Sequence, residues 1–410
     1  MLKYWVWVSS VGGVGSVTAA RLIEHFGSPE KVFFADPEEC RHVKGVRQAD
    51  IAHLRRKSTE EAGRIIDSCA DIGCRVLTLQ DAEYPDMLRN TYDPPIVLYV
   101  RGTLPLIDEK PAVAVVGTRD CTPYGLSTAG DVGYRLARRG LIVVTGLARG
   151  VDTAAAKGAL KGGGRVVGII GSGQDVVYPP ENKELFDEVV RNGAIISEYP
   201  PGTQALPSHF PARNRIISGL SLGVAVLEAP KKSGALITAA RALEQGRDVF
   251  AMPGNVDSKS CLGSNLLLRE GAIPILSGDD IASEYEEMFP DAILPDEKMI
   301  PAGAKSTEMT GEKLSIRVVD RRDSGKKEID NKQQVEYIDL DKVLSGLSGD
   351  EKAVAKTIGH SALHVDEIVL NAGLKAAQVQ TALTMLEIKG YAVRNGGVWR
   401  MQNAECRMQN

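Results

Sequence analysis

Cysteine is scarce and scattered, with six in 410 residues, at positions 40, 69, 74, 121, 261 and 406, and no CxxC pair. That pattern excludes a disulfide framework and a cysteine zinc site, and it fits a reducing compartment, the cytoplasm. Long hydrophobic runs are also missing. None approaches the ~20 residues of a membrane helix, and Met1 to Val8 has neither a basic head nor a small-residue cleavage site. A soluble, untargeted chain with no membrane contact is expected. Charge of one sign is not in excess either: 49 Lys and Arg against 53 Asp and Glu leave a net −4. Phosphate binding needs clustered cations, so any nucleic-acid site must be a local patch. The phosphate loop GxxxxGK[ST] is absent, and Gly117 is not followed by the GxGxxG spacing of dinucleotide binders. ATP and NAD are therefore not expected, and no cofactor is.

What is present is ordinary globular material, 43% apolar and 25% charged, long enough for two or three domains. Residues 1–69 read as a small all-α domain of helix-hairpin-helix or SAM-like type. Val11-Gly12-Gly13-Val14-Gly15 forms a turn before the helical run Ser16 to Phe26, and Lys44-Gly45-Val46 repeats the turn signal. Such a hairpin can offer backbone N–H groups to a phosphate or serve as a packing or docking module, and packing is the more common use.

Residues 70–290 read as a Rossmann-like α/β domain, a doubly wound and mostly parallel sheet. Strands are expected at Ala112–Val116, Leu141–Thr145, Arg165–Ile170, Ala194–Ser197, Gly223–Leu227, Asp248–Met252 and Ile273–Leu276. Runs this apolar are buried on both faces, and helices with proper punctuation lie between them, such as Thr122-Pro123 opening one and Gly140 closing it. Arg75–Leu79, Tyr84–Leu88 and Val97–Tyr99 add a strand, a helix and a strand in front. Residues 291–346 dissolve into polar and charged residues and read as a flexible linker. Residues 347–402 return to order as three helices, Gly349–Ile358, Val365–Ala372 and Ala376–Lys389, and a hairpin about Asn395-Gly396, which together predict a winged helix. Its acids Asp350, Glu351, Asp366, Glu367, Glu387 and Glu405 nearly balance its Lys and Arg, which favours protein docking over DNA reading. His360 and His364 stand four apart with no third ligand nearby, so no metal is expected.

Four glycine-bearing turns fall at strand ends: Gly117-Thr118-Arg119, Gly146 to Gly150, Gly171-Ser172-Gly173 and Ser233-Gly234. In a doubly wound sheet those ends share one crevice. Glycine lets a ligand approach the backbone, and the helices that follow point free N–H groups there, which suits an anion. Asp152 reads as the cap of a helix beginning at Thr153, so it needs no catalytic role. In the stretch Pro207 to Arg215, Phe210 stands just before Arg213 and Arg215. From 205 to 245, Arg213, Arg215, Lys231, Lys232 and Arg241 outnumber Glu228 and Glu244. An aromatic beside guanidinium groups is the chemistry of single-stranded nucleic acid, where a base stacks while cations hold the backbone. The plainer alternative makes Phe210 a core residue, pairs Arg213 or Arg215 with a carboxylate, and leaves His209 an ordinary loop residue.

From Val115 to Ala272 the chain resembles the DNA-processing protein A family. The resemblance lies in Val116-Gly117-Thr118-Arg119, Thr145 to Asp152, Tyr178-Pro179-Pro180-Glu181-Asn182 and Ser197-Glu198-Tyr199-Pro200. It continues through Phe210 to Ser221, Ser233 to Thr238, Ala251-Met252-Pro253-Gly254 and Gly263-Ser264-Asn265. It implies single-stranded DNA binding in a positive pocket, a homodimer formed through the Rossmann-like domain, and loading of RecA recombinase during natural transformation, without enzymatic activity. Carried over residue by residue, the pocket comprises Arg119, Phe210, Arg213 and Arg215 with Lys231 and Lys232, and the turns supply Gly117, Gly150, Ser233 and Gly234. One departure is Gly146-Leu147, where the family has two glycines; leucine should narrow the backbone approach at that turn. Two other functions compete. The fold also resembles nucleotide phosphoribohydrolases, although Ala239 and Ala240 stand about where those enzymes carry a catalytic glutamate. An adaptor that binds DNA only weakly is the third reading.

Overall fold

The computed structural model describes residues 1–295, 347–358, 363–389, 391–395 and 398–401. The chain forms two compact units, 1–308 and 309–410. The first holds a nine-stranded sheet in the order β1-β2-β6-β5-β4-β3-β7-β8-β9. Its strands are β1 Cys74–Thr78, β2 Val97–Gly102, β3 Ala112–Val116, β4 Ile142–Thr145, β5 Val166–Ile170, β6 Gly193–Ser197, β7 Gly223–Val226, β8 Asp248–Ala251 and β9 Ile273–Pro274. From β6 to β9 all neighbours are parallel, whereas β1 pairs β2 and β2 pairs β6 antiparallel. The doubly wound sheet expected from the sequence is present, and the two front strands extend its edge.

Alternation along β3 shows why both faces of the sheet are apolar. Val113 and Val115 join the core under helices α7 (Pro123–Arg138) and α8 (Val151–Lys161), with Val132, Leu136 and Ala155. Ala112, Ala114 and Val116 join the opposite core under α10 (His209–Gly219) and α11 (Gly234–Glu244), with Ile216, Ile217 and Ala239. Helix α7 starts where the sequence says it should. Thr122 Oγ1 accepts the Gly125 N–H at 3.1 Å, Pro123 occupies the first turn, and Gly140 follows the end with φ +86°.

Helices α6 (Asp86–Arg89) and α9 (Lys183–Asn192) lie between strands, and residues 2–71 are mostly helical, with α1 (Leu2–Ser10), α2 (Ser16–Phe26), α3 (Pro29–Phe34), α4 (Gln48–Leu54) and α5 (Glu60–Asp71). They share one hydrophobic cluster with the sheet edge, in which Trp5, Trp7 and Leu22 pack with Val97 and Tyr99. Residues 291–294, expected to open the linker, are tied down instead: Arg139 O accepts the Leu294 N–H at 2.9 Å, and Ile293 is buried. The rest of the expected linker, from 296 to 346, lies outside the described residues, as do His360, Gly396 and Glu405.

The second unit has helices at Gly349–Ile358, Val365–Ala372 and Ala376–Ile388 and a small sheet built from Leu363–His364, Ala392–Asn395 and Val398–Met401. That is the winged-helix arrangement the sequence predicts. Among the described residues no helix is long and apolar enough to cross a membrane.

Candidate nucleic-acid interface

In the sheet order the chain winds one way from β3 through β4, β5 and β6 and then crosses back to β7 on the other side of β3, which makes β3 the point where the winding reverses. The turns at the carboxyl ends of these strands open on a shared crevice. A cavity of about 540 Å³ occupies it, lined among others by Arg119, Phe210, Arg213, Asn214, Lys232 and Thr238. Ser233 and Gly234 also line it at the start of α11, where Ser233 Oγ accepts the Ala235 N–H at 3.2 Å. A Cβ added at Gly234 would meet nothing within 4 Å, so the backbone there faces open space.

Phe210 sits in the first turn of α10, partly exposed, with cations and a second aromatic around it. The Arg119 guanidinium lies 5.0 Å from the ring centroid and that of Arg213 6.0 Å. The Tyr178 ring is 5.5 Å away, tilted by 34°. The start of α10 is itself held: His209 stacks on Tyr199 at 4.0 Å, and its Nδ1 lies 3.0 Å from the Gly171 carbonyl oxygen. Arg119 and Tyr178 are exposed. Tyr178 belonged to a recognisable motif but was not assigned to the site from sequence; an aromatic before two prolines is as easily a turn residue, and only the fold brings it to Phe210.

Arg213 is buried beneath this cluster. Its Nη1 donates to the Gly146 carbonyl at 2.9 Å and also to that of Ile169. A Cβ at Gly146 would fall 2.2 Å from that nitrogen, so glycine at this turn makes room for a guanidinium of the protein itself. Burial lowers the Arg213 pKa to about 10, against the attraction of Asp152 and with Arg119 adding to the depression; it remains a cation at neutral pH. Asp152 lies inside the first turn of α8 rather than capping it, and its carboxylate accepts the Gly146 N–H at 3.0 Å. Burial pushes that carboxyl up, and Arg213 opposes the rise.

Several expected pocket residues stand elsewhere. Arg215 points away from the cavity to Asp93 (3.0 Å) and Glu198 (2.7 Å), two residues along a helix being too few to share a face. Burial opposes the charge on Arg215, but Glu198 and Asp93 outweigh it and hold the guanidinium above its ordinary range. Lys231 is exposed but is not part of the lining, whereas its neighbour Lys232 is. Gly150 does not line the cavity either. At φ +75°, a Cβ there would lie 2.4 Å from Thr118 O and 2.7 Å from Arg119 O, so this glycine lets one turn press on the other. Gly117 is in the lining, yet a Cβ on it would strike Val151 at 2.6 Å, again a packing constraint.

Leu147 does not narrow the crevice. It adopts φ +50°, at a cost of ~1–2 kcal/mol for an L residue. That turns its side chain fully inward, into the space left by Gly168 on β5. Burying a leucine, worth ~1.5–3 kcal/mol, offsets the strain. Among the described residues no group of three or more His, Cys, Asp or Glu could hold a metal ion.

The chain matches the family model of DNA recombination-mediator protein A over residues 75–286 and that of the DprA winged helix domain over 341–397. It is 42% identical over 257 residues to the DNA processing protein DprA of Streptococcus pneumoniae, covering 62% of this chain and 86% of that protein. It is 31% identical over 399 residues to the protein Smf of Synechocystis sp., covering 96% and 97%. The X-ray structure of DNA processing protein A from Streptococcus pneumoniae superposes with a TM-score of 0.62 at 35% identity, covering 69% of this chain and 98% of that one. On the sequence, the sheet and the second unit together, this chain belongs to the DNA recombination-mediator protein A family.

Proposed function

We propose that the crevice binds single-stranded DNA without catalysing a reaction. The observation that carries this reading is the cluster of partly exposed Phe210 with exposed Tyr178 and Arg119 in the cavity lining. An accessible ring with a guanidinium 5.0 Å from its centroid suits an unpaired base stacked beside its own phosphate, and bases in a duplex are not free to stack. Lys232 and the open backbone at Ser233-Gly234 add a cation and N–H donors along the same cleft. Arg119, Phe210, Lys232, Ser233 and Gly234 are the direct contacts in this reading. Arg213, Gly117 and Gly150 shape the site, and Arg215 and Lys231 lie outside it.

A non-enzymatic role is supported by the lining. Its carboxylates are Asp120 and Asp152, the latter buried and accepting the Gly146 N–H, and α11 presents Gly234, Ala235, Ile237 and Thr238 to the cavity. No nucleophile, base and orienting group stand in mutual reach there. With family membership, the reading extends to a homodimer that loads RecA recombinase on the bound strand, in the cytoplasm. Titration of matched single-stranded and duplex oligonucleotides over a salt series tests it. Tighter binding of single strands with a negative salt slope is expected, and equal affinity for duplex contradicts it.

A further inference from the structure

Glu228 is buried just beyond β7, 1% exposed, and does not line the cavity. Its main-chain oxygen accepts the Thr118 N–H at 2.7 Å. Its Oε2 accepts both the N–H and the hydroxyl of Thr122, each at 3.1 Å, while Oε1 has no hydrogen-bond partner. Gly125 makes the space for this, since a Cβ there would lie 1.8 Å from Oε2. The span 118–122 is therefore held at both ends by one residue, and Arg119 stands between the two anchors. Gly150 braces the same span from the other side, against Thr118 O and Arg119 O. Leaving the buried Oε1 without a hydrogen bond is costly. A buried acid in that state beside the cleft needs a reason.

We propose that Glu228 is a positioning residue for strand binding: through Thr122 its carboxylate fixes the 118–122 turn so that Arg119 stays over Phe210. This rests on the reading of the cleft as a single-strand site. The turn carries the exposed cation of the cluster, and a five-residue loop without its far anchor spreads that guanidinium over many positions. The loss appears at the phosphate, not at Glu228 itself.

The experiment is binding of a thymidine oligonucleotide over a salt series to the full chain, with Glu228→Ala, Glu228→Gln, Arg119→Ala and the Glu228→Ala/Arg119→Ala pair. Glu228→Ala should weaken binding roughly tenfold and lower the salt slope by about one, as Arg119→Ala does. Glu228→Gln keeps an acceptor for Thr122 and should stay within about twofold of the parent. In the Arg119→Ala background, Glu228→Ala should add less than about twofold, because the residue it positions is gone. Should Glu228→Ala not fold, Thr122→Ala removes the hydroxyl half of the link and the α7 cap while leaving the main-chain N–H bond, and the same pattern is expected at smaller amplitude. Losses that multiply in the pair, full affinity without the link, or a Glu228→Gln loss as large as that of Glu228→Ala would each overturn the inference. If Arg119→Ala and Phe210→Ala both bind like the parent, the reading of the cleft fails instead.

Discussion

Helix α10 has two faces, and the contrast between them separates the residues that build the site from those that use it. Toward the crevice, Arg213 gives its guanidinium to the carbonyls of Gly146 and Ile169 beside the carboxylate of Asp152. Toward the rear, Arg215 bridges Asp93 and Glu198. Both arginines are buried, but Arg215 is paired with two carboxylates, whereas Arg213 gives Nη1 to two carbonyls and keeps an Nε without a hydrogen-bond partner. Burial keeps both guanidinium groups from the surface, so the cations left exposed in the lining are Arg119 and Lys232. A motif arginine is not evidence of a ligand contact, because a guanidinium can instead be buried and committed to acceptors of the protein itself.

The sharpest way to break the contrast is Arg213→Ala. It leaves the buried carbonyls of Gly146 and Ile169 without their donor and removes the charge that opposes the burial of Asp152, each at a cost of ~1–3 kcal/mol. A denaturant melt should show most of that loss. An unchanged midpoint would mean that Arg213 is free in solution and available to DNA after all. Next comes Arg215→Ala, whose partners Asp93 and Glu198 are partly exposed, with side chains at 32% and 24%. Here roughly 1–3 kcal/mol of stability is expected to go, while the salt slope of oligonucleotide binding stays at the parent value. A slope reduced by one would place Arg215 on the strand. The smallest effect is expected from neighbouring lysines. Lys232→Ala should lower the slope by about one, and Lys231→Ala should change affinity by no more than ~0.5 kcal/mol. Equal losses would erase the distinction between lining and non-lining cations.

Much of the architecture was legible beforehand. Buried parallel strands read as unbroken β-branched runs, and the turns of β3, β4 and β7 announce themselves through glycine. Thr122-Pro123 marks the start of α7 because caps act locally. The candidate site was legible as a place and as a chemistry, through Phe210 and the surrounding basic residues. Which cation faces the cleft was not, because Arg213 and Arg215 differ only in direction along one helix, and their acceptors Gly146 and Asp93 are 67 and 122 residues away in sequence. Leu147 misled for a related reason. A positive φ sends its side chain into the core, and no local pattern shows that Gly168 leaves room there. Glu228 was counted only as a charge against the patch, since its tie to Thr122 spans 106 positions.

The central claim is that Phe210 stacks on an unpaired base, and Phe210→Ala tests it directly when affinity, salt slope and melting temperature are measured on the same protein. The account predicts a loss of ~1–3 kcal/mol in oligonucleotide binding, an unchanged salt slope, and a melting temperature close to that of the parent. A core phenylalanine would behave in the opposite way, losing ~3–5 kcal/mol of stability on truncation. A sharp fall in melting temperature with full affinity in the protein that remains folded would contradict the claim.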